Sequence, residues 1–223
     1  LAAADKDKRS KFGVTRAAID RSEAVPGRAG MPDGNSGLTF FRQWLKAPRG
    51  MGSVAPSSRL LARAMAAQIP PEVLTGRAPV IELGGGTGSI TRGLLTAGVR
   101  PENLFVVERN QDLAELLRGR FTGVEILCGD ATSLPDLLRP HGIDAVGAIV
   151  SSLPLLLFSE AALTLLVQSC FTLLGPGQPL IQFTYGLKSP LAAQSRSLIA
   201  RRAAWVPLNL PPAFVWTYRR GPA

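Results

Sequence analysis

The run Val80-Ile81-Glu82-Leu83-Gly84-Gly85-Gly86-Thr87-Gly88-Ser89 constrains this chain more than any other segment. Apolar residues around Glu82 read as a strand and the glycines as a tight turn. From Ser89 on, apolar residues at Ile90, Leu94 and Leu95 mark a helix. Such a junction brings backbone N–H groups close to a ligand, because glycine permits close approach and a helix start leaves its first amides without intrahelical partners. Spacing narrows the ligand. A dinucleotide fingerprint needs Gly-x-Gly-x-x-Gly, yet the third place falls on Ser89 counted from Gly84, and on Thr91 counted from Gly86. The pattern present is Glu-x-Gly-x-Gly-x-Gly, with glycines at 84, 86 and 88.

Two further acids stand at the ends of apolar runs. Asn103–Val107 leads to Glu108, about 20 residues beyond the glycines, where a carboxylate can accept both hydroxyls of a ribose. Gly123–Cys128 leads to Gly129-Asp130-Ala131. Each acid alone reads as a helix cap; three in this order, each at a strand terminus, are specific. The set Glu82, Gly84, Gly86, Gly88, Glu108 and Asp130 resembles the class I S-adenosylmethionine-dependent methyltransferases. The resemblance implies S-adenosylmethionine as cofactor and S-adenosylhomocysteine as product. It places Asp130 against the adenine amino group, with Arg109, Ala131 and Ser151 completing the cofactor pocket.

The rest of the chain suits that architecture. Predicted strands at 79–83, 103–107, 124–127, 144–150 and 179–185 alternate with helices at 88–97, 110–120 and 159–173, plus a short helical segment near 133–139. Regular alternation predicts a parallel sheet with right-handed crossovers. Two strands, 197–206 and 213–219, joined through Pro207–Pro212, predict a C-terminal antiparallel hairpin. The expected fold is therefore α/β: a Rossmann-like, seven-stranded, mostly parallel sheet with an N-terminal helical extension. Three regions are expected: a basic extension and linker at 1–37, an amphipathic lid helix and cap helix at 38–78, and the cofactor-binding domain at 79–223.

Upstream, Lys6–Arg16 can form a basic amphipathic helix, and 27–37 reads as a linker rich in glycine. In 38–49, Phe40, Phe41, Trp44 and Leu45 share one helical face while Arg42, Gln43, Lys46 and Arg49 lie elsewhere, the signature of a helix lying in a membrane interface or lidding a site. The segment 52–58 is expected to be a loop ending in a Ser58 cap, followed by a helix from Arg59 to about Gln68 whose buried positions are Leu60, Leu61, Ala64 and Met65.

Of 223 residues, 46% are hydrophobic, enough for a sizeable core, and no apolar stretch is long enough and free enough of breakers to read as a membrane span. The polar start is not expected to be a signal peptide. Only Cys128 and Cys170 occur, with one histidine, His141, and no metal-ligand spacing. No metal is expected, and both cysteines are expected to be inert core thiols. The formal net charge is +9, and no acidic residue follows Glu160, whereas Lys188, Arg196, Arg201, Arg202, Arg219 and Arg220 do. Uncompensated cations imply an anionic partner: nucleic acid, an anionic membrane or a phosphorylated substrate.

Two strand ends bear on that choice. After the fourth strand comes Ser151-Ser152-Leu153-Pro154-Leu155. Methyltransferases acting on nucleobase amines carry an aromatic ring where Leu155 stands, to stack on the base; its absence disfavours RNA. After the fifth comes Gln182-Phe183-Thr184-Tyr185-Gly186, which places a tyrosine where an amine gaining methyl groups can meet its face. Together with Phe-Phe-Arg-Gln-Trp-Leu (40–45), Gly-Ser-Val-Ala-Pro-Ser-Ser (52–58), Val-Val-Glu-Arg-Asn (106–110) and Ser-Ser-Leu-Pro-Leu-Leu (151–156), residues 39–219 resemble the bacterial phospholipid N-methyltransferases.

That resemblance implies stepwise methylation of phosphatidylethanolamine through mono- and dimethyl forms to phosphatidylcholine. The enzyme would be a monomer, cytoplasmic and peripherally bound to the anionic inner face of the cell membrane. Tyr185 would be the catalytic residue, and Phe41, Arg42, Trp44, Lys46, Ser53, Leu153 and Lys188 would meet substrate or membrane. An rRNA adenine N6-dimethyltransferase is the alternative. A catalytically silent membrane-binding module is a third reading, disfavoured by the intact acids at 82, 108 and 130.

Overall fold

The computed structural model describes residues 56–76, 78–192 and 197–221. The expected elements at Lys6–Arg16 and 38–49, with Phe41, Arg42, Trp44 and Lys46, and the position Ser53, lie outside the described residues.

Seven strands form one sheet: β1 (Val80–Leu83), β2 (Leu104–Glu108), β3 (Glu125–Cys128), β4 (Ala148–Ser151), β5 (Leu180–Thr184), β6 (Leu198–Val206) and β7 (Ala213–Arg220). Their spatial order is β3-β2-β1-β4-β5-β7-β6. The first five are parallel, and β7 runs antiparallel to both β5 and β6. The six α-helices among the described residues are α1 (Pro56–Ala66), α2 (Pro71–Leu74), α3 (Ser89–Thr96), α4 (Gln111–Arg120), α5 (Leu134–Leu138) and α6 (Glu160–Leu173). None is long and apolar enough to cross a membrane.

Parallel strands need helical crossovers, so both faces of such a sheet are buried and the strands are apolar throughout rather than alternating. Two cores result. Val80, Leu104, Val106, Ala148, Val150 and Ile181 face α1, α3 and α4, whereas Ile81, Leu83, Val107, Ile149 and Leu180 face α5 and α6. Glu82 interrupts β1, and Gln182 and Thr184 interrupt β5; all three are buried.

Several boundaries differ from expectation. Helix α1 begins at Pro56, whose missing N–H and fixed φ suit a first helical position, so Ser58 lies inside the helix instead of capping it. The buried stripe of α1 is Leu61, Ala62, Met65 and Ala66, while Leu60 is exposed. The stripe is one residue out of step with expectation because Ala62 seats on Gly93 of α3, where a Cβ would collide with the Ala62 methyl. β4 starts four residues late: upstream of it Val146 makes only an isolated bridge to Leu174, and Gly147 passes under Val73, 2.5 Å from where its Cβ would be. Cys128 corrects another expectation: it is exposed, because it ends the edge strand β3, while Cys170 is buried in α6.

Candidate functional site

The strand order reverses between β1 and β4, whose neighbouring crossovers lie on opposite faces and leave a crevice beyond their carboxyl ends. The β1–α3 turn forms its floor. Gly84 has φ +78, a region side chains rarely adopt, and a Cβ there would sit 3.0 Å from Leu153. Gly88 caps α3 at φ +83 and rests on Phe121. Gly85, which the sequence pattern leaves unassigned, is the packing residue: its Cβ would meet Val106 at 2.5 Å and Leu117 at 2.7 Å.

Glu108 ties the turn to β2. Its Oε2 accepts the N–H of Gly86 and its Oε1 that of Asn110, each at 2.9 Å. Each oxygen accepts only one protein donor and so keeps acceptor capacity for a ligand hydroxyl. Asp130 stands just beyond the end of β3, and its Oδ1 accepts from Thr132 N (2.9 Å) and Thr132 Oγ1 (2.8 Å), capping the turn Ala131–Ser133. These bonds, and more weakly the Arg109 guanidinium, hold its carboxyl below the usual range. Arg109 lies 3.9 Å from Asp130 Oδ2 with both side chains largely exposed, a pairing that contributes at most ~1 kcal/mol. Ala131 is buried behind them.

Glu82 lies under the same turn. Burial pushes its pKa up to about 8, with the neighbouring Glu108 charge adding to the rise. The hydroxyl and N–H of Thr91 offset a part of that cost without completing a well-formed hydrogen bond to either oxygen. Thr91 is wholly buried on α3, a partner that its helical position in the sequence did not announce.

On the other side of the crevice, Ser152 donates its N–H to Leu83 O at 2.8 Å, which draws the 151–153 bend against β1. Ser151 Oγ accepts from Leu153 N at 3.4 Å. Gln182 Nε2 donates to Leu153 O at 3.1 Å and to Phe183 O at 2.6 Å. Gln182 was not among the expected site residues; the signal available was a polar residue inside an apolar strand. Leu155 is buried in the second core, so that position offers no surface to a ligand. Tyr185 follows β5, half-buried against the first core, its ring edge-on to Phe183 at 5.4 Å and its hydroxyl turned to Asn209. Burial raises its pKa above the ordinary phenol value. Lys188 stands exposed on the same turn.

The structure thus gathers Glu82, Gly84, Gly86, Gly88, Glu108, Asp130, Ser151 and Leu153 around the ends of β1 to β4, with Tyr185 and Lys188 at the next strand along. Buried polar atoms without protein partners include both Glu82 oxygens and Ser152 Oγ beside the crevice; others, such as Gln182 Oε1 inside β5 and Thr217 Oγ1 in β7, lie elsewhere in the sheet. Together with the acceptor capacity left on Glu108, the Glu82 and Ser152 atoms fit a polar nucleoside carrying an amino-acid tail. Among the described residues no acid, cysteine and histidine cluster could hold a metal.

No family model matches the chain. The ornithine lipid N-methyltransferase of Singulisphaera acidiphila is 32% identical over 181 residues, covering 78% of this chain and 91% of that protein. Among solved structures, the N-methyltransferase NodS from Bradyrhizobium japonicum superposes with a TM-score of 0.56 at 12% identity, covering 76% of this chain and 99% of its own. A TehB-like methyltransferase from Corynebacterium glutamicum gives 0.54 at 13%, covering 85% and 100%. An O-methyltransferase from Bacillus cereus, in complex with S-adenosylhomocysteine, gives 0.54 at 13%, covering 86% and 94%. At such identities the structural matches establish the fold, and the sequence match establishes the kinship. S-adenosylmethionine is the cofactor, and the chain belongs to the class I methyltransferase family that includes the ornithine lipid N-methyltransferase of Singulisphaera acidiphila.

Proposed function

We propose that this chain methylates the primary amine of a membrane lipid headgroup, with phosphatidylethanolamine as the first candidate and stepwise conversion to phosphatidylcholine as the outcome. The observation that carries the lipid reading is the 32% identity over most of both chains to an enzyme named for a lipid amine. Ornithine lipid, the substrate in that relative's name, is therefore the second candidate acceptor. The nucleobase alternative, rRNA adenine dimethylation, has less support: Leu155 is aliphatic and buried where a stacking ring would be needed.

When bound, S-adenosylmethionine supplies an electrophilic methyl on a sulfonium. Glu108 would hold the ribose hydroxyls through the acceptor capacity left on its two oxygens, Asp130, Ala131 and Arg109 would meet the adenine, and the Gly84–Gly88 turn would leave room for the tail. Ser151 would complete the cofactor pocket, and Leu153 would shape the wall through which the acceptor enters. An ammonium has no lone pair, so the amine must arrive deprotonated; a primary amine titrates near ~10, and a desolvated site beside a positive charge lowers that. Tyr185, its pKa raised by burial, keeps its proton near neutrality. It therefore orients the amine with its neutral oxygen and ring face, and water takes the proton. Lys188, with Arg42 and Lys46, attracts the lipid phosphate. Phe41, Trp44 and Ser53 belong to the membrane-facing segment, and a monomer peripherally bound to the inner face of the cell membrane is the working state.

The test supplies methyl-labelled S-adenosylmethionine together with vesicles containing phosphatidylethanolamine, vesicles containing ornithine lipid, or ribosomal RNA. Label in a lipid is expected. Label in RNA alone would overturn the reading, and label only in ornithine lipid would replace the first candidate by the second.

A further inference from the structure

The four most exposed large apolar side chains among the described residues are Leu210 (80%), Leu208 (76%), Trp205 (62%) and Leu187 (61%). Pairing brings them to one corner. Phe214 is opposite Thr184 of β5 on one side and Trp205 of β6 on the other. The β6–β7 turn and the Leu187 turn therefore both lie at the carboxyl end of β5, the end that carries the cofactor crevice.

The polarity of that turn is inverted relative to a solvent loop. Asn209, its polar member, is buried, donating Nδ2 to Pro211 O at 2.7 Å and its N–H to Val206 O at 3.2 Å, beside the Tyr185 hydroxyl. Leu208 and Leu210, on either side of it, point out. A register shift between Arg202 and Ala204 makes the exposure deliberate: it puts Arg202 and Trp205 on one face of the edge strand, where strict alternation would separate them. There Trp205 stacks on Phe214 at 6.4 Å and the Arg202 guanidinium covers the same ring at 5.3 Å. Arg201, Arg202 and Lys188 are exposed, and the chain has no acid after Glu160.

Apolar side chains projecting from a pinned turn, with an indole behind them and cations around, match the headgroup–acyl boundary of an anionic bilayer, where the aliphatic tips leave water and the cations meet lipid phosphates. We propose that the β6–β7 tip, with Leu187, inserts into an anionic lipid surface and docks the crevice against it, a second membrane contact independent of residues 38–49. Because Asn209 joins this tip to Tyr185, docking and acceptor entry share one wall. The inference rests on the lipid reading above for its occupant, but its geometry stands apart from which amine is methylated.

The experiment measures sedimentation of the full chain with vesicles of phosphatidylglycerol and phosphatidylcholine, comparing wild type with Leu208→Ser/Leu210→Ser. Partition is expected to weaken roughly tenfold or more, from the apolar area lost, with cofactor affinity by calorimetry unchanged. Trp205→Phe supplies a second readout that does not depend on the double variant folding: a share of the fluorescence quenching by brominated lipid disappears. Undiminished partition, or quenching unaltered in Trp205→Phe, overturns the proposal. So does a change in sedimentation velocity without vesicles, which would make the tip a contact between copies. If wild type binds vesicles through the tip yet methylates no lipid amine, even dispersed in detergent, the substrate assignment fails and the docking surface stands.

Discussion

The carboxylate of Glu108 and the backbone N–H of Gly86 are joined by a 2.9 Å hydrogen bond that spans from the end of β2 to the middle of the glycine turn. One side chain therefore shapes the turn and, in the proposed reading, also holds the ribose. Replacing Glu108 with Ala removes two charge-assisted acceptors, each typically worth about 1.5–3 kcal/mol. Cofactor affinity in calorimetry is expected to fall by at least ~100-fold, with a smaller loss of thermal stability from the freed Gly86 and Asn110 amides. Unchanged affinity would move the ribose site elsewhere.

Glu82 gives a pH prediction. Its folded pKa of about 8 lies above the ordinary 4.5 because burial penalises the anion, so the native state binds this proton more tightly than the unfolded chain. The resulting stabilisation is complete below pH 4.5, declines as pH rises, and is lost above pH 8. Glu82→Gln removes that dependence. The melting temperature of the variant relative to wild type is expected to climb from pH 5 to pH 8 and then level off, at roughly 2–4 °C per kcal/mol. A difference that is flat with pH would mean that Glu82 is ionised in the fold.

In the proposed reading Gln182 acts on the acceptor wall through Leu153 rather than on the cofactor. Gln182→Leu keeps the volume but removes the donor to Leu153 O. We expect turnover to drop roughly tenfold, about the 1–1.5 kcal/mol of one hydrogen bond, with cofactor affinity within twofold of wild type. An equal loss in both would place Gln182 in the cofactor site.

The two thiols should react very differently. Cys170 is buried and its pKa is pushed up to about 12, while Cys128 is exposed beside the Glu108 and Asp130 loops. Iodoacetamide is expected to alkylate Cys128 alone, and saturating S-adenosylhomocysteine is expected to slow it severalfold. Mass spectrometry of the labelled peptides checks both points, and labelling insensitive to the ligand would place the nucleoside away from β3.

Gly93 sets the distance between α1 and α3, where its missing Cβ makes room for Ala62. Gly93→Val is expected to destabilise by ~1–3 kcal/mol through overpacking, read as a lower melting temperature at unchanged cofactor stoichiometry.

The order of elements and the places of Glu108 and Asp130 were legible in the sequence because local rules govern them. Strand ends, glycine turns and helix starts follow from residue type and period, and consecutive elements in a parallel sheet have few ways to connect. The same rules misplaced the stripe of α1 by one residue, since Gly93 lies more than two elements away and only packing reveals that it receives Ala62. They also buried Cys128, because a strand's interior pattern does not announce that the strand is at an edge. Gln182 and Asn209 went unassigned for a related reason: each matters through a partner distant in the chain, Leu153 and Tyr185 respectively, whereas Thr91 meets Glu82 only because the glycine turn folds α3 back over β1.

The sequence by itself determined the cofactor and the class of fold, since both rest on short segments whose backbone geometry their own residues dictate. The tertiary structure decided where the charges and greasy side chains ended up. Leu187, Trp205, Leu208 and Leu210 are ordinary apolar residues in the chain, and they become one projecting corner only because β7 turns back between β5 and β6. Exposure is a property of what packs against a residue, and that is settled only when the whole sheet closes.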